Sequence, residues 1–489
     1  MSTHHFPFLL VVLLLPIAMH SQNPSMAADP ATTIPPGNGA TGCIAHGAPE
    51  PVWRSNVDDA LNVDASVDIK AVNKYECAIA NLLNHEEFDL LDEIASQARS
   101  SKSRFSGGKW KLSAFYKGLE HPPEADPEWT DHIRKLENWK SHDPQSVTAR
   151  IALAVAYTAY GWEARGESTA DKVTEEGWRL FAERTAVAAR ILKDASALKE
   201  KCPHWYAAML QVALAQGMDP ADEESLFQQA IAFEPLYDPY YRARAWFLLP
   251  IWNGEEGETE AFAEKTATMI GGEEGNILYF EIAAQLACSC NVGFDLKHLS
   301  WKRIQAGQAA QQRKYGVSLV KVNWLAKMAN RFLDPAVGER ANAQIGENWD
   351  EDTWKSRKIF DNFRSWVANY SGSQKMLKDF NKLAKANLET AEGKLYNVAV
   401  ASEVPQKLAW FVEQCSSTAG GEPGSFDLLM SVQGDGVVLV AYVEPYDTKV
   451  GNCVQSQMAR ETITRNSPLY LSPPPKPNYW VKVSMQVKP

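Results

Sequence analysis

With 489 residues, 45% of them hydrophobic, the chain is long enough for two or three units and at least one sizeable core. Lysine and arginine total 49 against 60 aspartate and glutamate, so the net charge of -11 repels a phosphate backbone and excludes nucleic acid as a partner. Seven cysteines are too few for a disulfide scaffold at this length, and their odd number leaves at least one free or paired between chains.

Residues Phe6 to Met19 form an apolar run too short to span a bilayer, which needs about 20 residues, and of the length of a signal peptide. We read residues 1–27 as that signal, with small residues Ser25 and Ala27 suited to cleavage. The absence of Lys or Arg from the leading MSTHH leaves an uncleaved anchor as the alternative. The chain is therefore expected to be exported, periplasmic or secreted, and not integral to the membrane after cleavage. Residues 28–69 read as a linker, because the Pro, Gly, Ala and Thr of Asp29 to Pro51 offer little apolar surface to bury.

Residues 70–390 carry helical punctuation. Asp-Pro pairs at Asp126, Asp143, Asp219, Asp238 and Asp334 predict helix starts, with the carboxylate capping free N–H groups and proline in the first turn. Trp178, Phe181, Thr185, Ala188, Leu192 and Ala195 make one stripe of a helix within 173–198, with Arg179 and Glu175 on a solvated flank. Between Ser146 and Arg165, alanines all round the cylinder predict close neighbours on more than one side. Leu210, Phe227, Ala230 and Pro235 keep the offsets of a tetratricopeptide repeat, as do Pro144, Leu153 and Tyr157. Glu223 and Gln211 stand where that consensus wants small residues, so the fold class is mostly α: an irregular α-α, tetratricopeptide-like array, followed by a small C-terminal α+β domain.

That domain, residues 394–489, is expected to run helix (406–415), hairpin (426–432 and 437–443 around Gln433-Gly434-Asp435-Gly436), helix (450–464) and a last strand from Tyr479, with helices covering one face of the sheet. Cys415 and Cys453 are placed to bridge its two helices by a disulfide.

The stretch from His85 to Leu119 resembles the bacterial domain-of-unknown-function family 4034, as do the Trp-Lys-Ser-His-Asp-Pro run from Trp139, Tyr160 to Gly166, Cys202 to Tyr206, and Glu234-Pro235 leading to Leu248-Leu249-Pro250. The likeness spans roughly residues 75–370 and implies a helical bacterial protein without supplying an activity. The C-terminal region weakly resembles the C-terminal domain of TonB energy transducers, which implies at most a periplasmic binding module.

Chemistry-bearing patterns are sparse. His85-Glu86-Glu87-Phe88-Asp89 opens like a zinc-protease motif, but Asp89 stands where the second histidine belongs, and a helix start explains it better. Trp129 with His132 and Trp139 with His142 suggest either an aromatic groove or, more simply, an apolar stripe with wetted histidines. Cys288 and Cys290 lack further ligands nearby, and the acidic groups 255–260 and 350–352 lack calcium-loop spacing and read as solvated. Trp178 and Trp205 are expected in the core. No catalytic residue, metal or cofactor is assigned. The expected function is a non-catalytic exported scaffold presenting a concave surface to a protein or peptide partner, with Trp162, Arg165, Tyr240, Tyr241 and Arg244 as partner-binding residues. The alternative is a hydrolase-type envelope enzyme whose groups lie far apart in sequence.

Overall fold

A computed structural model describes residues 57–122, 128–166, 168–289, 298–332, 334–418, 424–444, 448–460, 467–477 and 479–487. The expected signal segment and most of the expected linker lie outside these residues. The linker's last part belongs to the fold, since Val57 and Ala65 are buried in the main core.

Among the described residues the chain is mostly helical, with one three-stranded sheet near its end. Helices α1 (Ala71–Asn84), α2 (Phe88–Ser101), α3 (Lys111–Lys117) and α4 (Trp129–His142) form an N-terminal group. Five helix pairs follow: α5 (Val147–Arg165) with α6 (Glu175–Ser196), α7 (Pro203–Ala215) with α8 (Pro220–Phe233), α9 (Asp238–Phe247) with α10 (Glu258–Ile270), α11 (Gly272–Ser289) with α12 (Trp301–Tyr315), and α13 (Leu319–Arg331) with α14 (Pro335–Ile345). The first helix of each pair packs on the first helix of the next, so α5, α7, α9, α11 and α13 make a continuous row, backed by their partners. This is the geometry of a helical-repeat array, in which each unit seals its apolar stripe against its neighbours. The alanines of α5 serve it as expected: Ala149, Ala152, Ala154 and Ala156 are all buried, and the helix touches α4, α6 and α7.

The Asp-Pro signals divide. Asp219 and Asp334 cap α8 and α14, accepting from Ala221 N at 2.9 Å and Val337 N at 3.0 Å. Asp143 does not cap; it accepts from Gln145 N, and Ser146 takes the cap of α5 instead. Asp238 is the first helical residue of α9 and is left over for another role. Asp126-Pro127 lies outside the described residues.

A clasp joins the N-terminal group to the far end of the row. Residues 104–110 form a tight turn closed by an isolated bridge between Arg104 and Trp110, and Gly107 N donates to Tyr315 O at 3.2 Å. Gly107 and Gly108 both have positive φ, and a Cβ on Gly107 would stand 2.2 Å from that of Ser318, so glycine is required twice over. Arg104 lies over the rings of Trp110 and Tyr315, and its Nη2 donates to Leu236 O at 3.1 Å.

After α15 (Glu351–Trp354), the long α16 (Arg357–Leu388) leads to α17 (Ala391–Lys407), α18 (Ala409–Thr418), β1 (Gly424–Val432), β2 (Val438–Glu444), α19 (Lys449–Arg460) and β3 (Tyr479–Val487). The helix expected from Gln406 is thus two helices broken at Leu408. The sheet order is β2-β1-β3, antiparallel throughout. Alternation puts Phe426, Leu428, Met430, Val481, Val483 and Met485 beneath α17, α18 and α19. The opposite face is covered too, which the expectation of one covered face missed: Trp480 stacks on Phe380 of α16 at 3.7 Å, and Leu429 packs on Ala384. The end of α16 therefore belongs to the sheet, across the expected boundary at 390. Cys415 and Cys453 form a disulfide between α18 and α19.

Candidate functional site

The N-terminal group and the clasp face the helix row across a cleft of about 410 Å³ against α9, α11 and α13 and a second cavity of about 320 Å³ against α7 and α9. Lys109, Lys117, Arg242 and Trp246 line both, so the two meet at the cleft's inner end. Volumes of this order suit a small ligand or a few residues of peptide rather than a folded partner.

Helical spacing builds the floor. Asp238, Arg242 and Trp246 follow at steps of four along α9; Glu274, Leu278, Glu281 and Gln285 do so, with one step of three, along α11. Lys321 and Trp324 come from α13 and Gln311 from α12. Lys321, Glu281, Gln311 and Asp238 are all buried. Lys321 Nζ donates to Glu281 Oε2 at 2.6 Å, and Gln311 Nε2 donates to Glu281 Oε1, so both oxygens of Glu281 are engaged. Asp238 has much less: its closest cation is Arg242, with Nη1 4.0 Å from Oδ2.

This difference separates the two carboxyls electrostatically. Burial and the charge of Glu281 push Asp238 above the usual carboxylate range, despite Arg242, Lys321 and Arg104. Burial acts the same way on Glu281, but Lys321 and Arg242 outweigh it and hold Glu281 below that range. Burial also pulls Lys321 down.

The second cavity is lined by Tyr116 and His204, whose rings stack at 4.2 Å. His204 Nδ1 lies 2.7 Å from the hydroxyl of Tyr237, and burial pulls its pKa down to about 3, so the ring is neutral. Cys202 nearby is a free, buried thiol raised by burial, 3.5 Å from the Tyr116 hydroxyl.

The expected partner-binding residues do not form a surface. Tyr240 and Tyr241 are fully buried, with their hydroxyls donating to Pro203 O at 3.0 Å and Pro235 O at 2.6 Å. Arg244 is buried in ion pairs with Glu223 and Glu224. Glu223 fills the repeat position that wants a small residue, and Arg244 is what accommodates it; burial still pushes Glu223 up to about 7. Trp162 is half-buried against Phe181 and Trp252, and Arg165 sits among Trp162, Trp178 and Trp252 while Nη1 donates to the carbonyls of Gly166 and Ser168. Tyr240, Tyr241 and Arg244 share α9 with Asp238, Arg242 and Trp246, which line the cleft. Trp178, expected in the core, is 39% exposed.

Other candidates resolve into structure. Trp129, His132 and Trp139 are buried, and His132, which burial holds at about 4, donates from Nε2 to Leu119 O, so no aromatic groove exists there. His142 faces Asp89 at 2.9 Å, and α2 begins at Phe88. Asp350 is not solvated but caps α15, and Glu260 is buried. Cys290 lies outside the described residues. Among the described residues no group of three or more metal-ligating side chains gathers, and no helix is long and apolar enough to cross a membrane.

Sequence reasoning missed Arg242, Trp246, Glu281, Gln311, Lys321 and Trp324. A signal was present: Glu281 interrupts the apolar run Ile277-Leu278-Tyr279-Phe280 and Ile282-Ala283-Ala284, and Lys321 stands between Val320 and Val322. A charge inside an apolar run marks either an error of register or a buried partner. Compared with known proteins, the chain matches no family model, no curated protein and no solved structure, so the resemblances rest on the quoted motifs alone.

Proposed function

We propose that this is a non-catalytic helical-repeat binding protein of the bacterial envelope that takes a short peptide or similarly small polar ligand into the cleft between the N-terminal group and the helix row. The observation that carries the reading is Arg242. Its Nε is held by Gln285 Oε1 at 2.7 Å, while among the described residues the outer edge of the guanidinium has only the 4.0 Å approach of Asp238, beside residues that line both cavities. A fixed guanidinium with open donors in a recess is suited to a carboxylate or other anion. The export reading of the first residues supports an envelope location.

The test is calorimetric titration of the purified full chain with pooled short peptides and small metabolites, against Arg242→Gln. Binding should weaken at least about tenfold in the variant, the scale for loss of a charged hydrogen bond. Unchanged affinity would remove the cleft from the account. A hydrolase is the second reading, favoured by the opposed shifts of Asp238 and Glu281, since an acid–base pair needs such a separation. Turnover in a substrate screen that Asp238→Asn abolishes would replace binding with catalysis.

A further inference from the structure

We infer that the cleft recognises the head group of a free α-amino acid, its carboxylate on Arg242 and its ammonium on Asp238 and Gln311. This rests on the reading above that the cleft binds a small ligand, and it names the ligand's class.

The cleft leaves a few of its polar groups without full partners. Most of its cations are already engaged: Lys109 with Glu76 at 2.8 Å, Lys117 with Glu120 at 2.6 Å, Lys321 with Glu281, and Arg104 with backbone carbonyls and two rings. Arg242 keeps an open edge. On the acceptor side, Glu281 has both oxygens bonded. Gln311 does not: its Oε1 is buried with no hydrogen-bond partner among the described residues, although the residue lines the cleft and is 2% exposed. Asp238 is nine-tenths buried, and among the described residues no cation comes closer to it than 4.0 Å. A buried acceptor without a donor is costly, and a ligand that supplies the donor recovers that cost.

The open donors and open acceptors are therefore different groups, and two of them, Arg242 and Asp238, are adjacent. Asp238 and Arg242 are one helical turn apart, with their charged ends 4.0 Å from each other. A ligand that satisfies both must carry a cation and an anion on neighbouring atoms, as the ammonium and carboxylate of an α-amino acid are. An anion alone would leave Asp238 and Gln311 as they are, and an amine alone would leave Arg242. Trp246 and the second cavity remain for the side chain.

The proposal has a protonic signature. The groups facing Asp238 are Glu281, Arg242, Lys321 and Arg104; burial and Glu281 favour its neutral form and outweigh the three cations, which favour the ionised one. A ligand ammonium beside it favours the ionised form, so binding tightens as pH rises through the Asp238 titration.

The experiment is calorimetric titration of the full chain with the twenty free amino acids, then with the N-acetyl and the C-amide derivative of the tightest, over a range of pH. At least one amino acid should bind, each derivative should be weaker by at least about tenfold, and the affinity should rise with pH through the Asp238 titration. Asp238→Asn, checked for fold by circular dichroism, should lose that pH dependence and the preference for a free amine. An N-acetyl derivative that binds as tightly as its parent would overturn the zwitterion while leaving the cleft as a binding site. Failure of every amino acid while short peptides still bind would also overturn this inference alone. Failure of all small ligands would overturn both.

Discussion

In the array, every helix pair leans on the next, and the cohesive groups are spread over five pairs of apolar stripes and a few buried ion pairs. In the terminal unit three strands are closed from both faces by α16 on one side and α17 to α19 on the other, and a covalent bond fixes two of those helices. The array accommodates irregular units, such as the one holding Glu223, because a neighbour can supply compensation. The smaller unit has less apolar surface to draw on and relies on a cross-link, as small cores commonly do.

The comparison breaks most severely at Arg244. Replacing it by Ala strands Glu223 in the core and should cost roughly 3–5 kcal/mol, whereas the double change Glu223→Ala with Arg244→Met should recover most of that loss. Urea unfolding of the single and double variants measures it, and additive losses would show that the pair is not a unit. In the terminal unit, Cys415→Ser opens a loop with a sequence separation of 38. Loop-closure entropy sets that cost at about 4 kcal/mol, in the same assay, with early proteolysis confined to residues beyond α16.

Acid sharpens the contrast with a smaller effect. His204 is held at about 3 when folded, against about 6.5 in an unfolded chain, so the unfolded state gains a proton first. Its contribution is complete above pH 6.5 and is lost as pH falls toward 3. Between pH 6.5 and 5 the loss is about 2 kcal/mol. His204→Gln should shrink the stability difference between pH 7 and pH 5 by that amount. No histidine follows His298, so the terminal unit should not share this response.

Much of the scaffold was legible because it obeys local rules. The stripe from Phe181 to Ala195, the caps at Asp219 and Asp334, the hairpin around Asp435 and the Cys415–Cys453 pairing all follow from short-range chemistry. The cleft was not, because its groups come from residues 238, 242, 281, 311 and 321, joined only when four helices, α9, α11, α12 and α13, come together. Tyr240 and Arg244 misled for a related reason: a polar residue near a helix end looks exposed until the backbone carbonyl or carboxylate that receives it is known. The second cover of the sheet was hidden because Phe380 and Ala384 continue a helix that began in the array.

The turn at Gly107 and Gly108 gives this molecule a mechanical character that open-ended solenoids lack. A coil fastened back on itself loses the freedom to lengthen or unwind like a spring, so the spacing between α9 and α13 is set by a latch as well as by stacking.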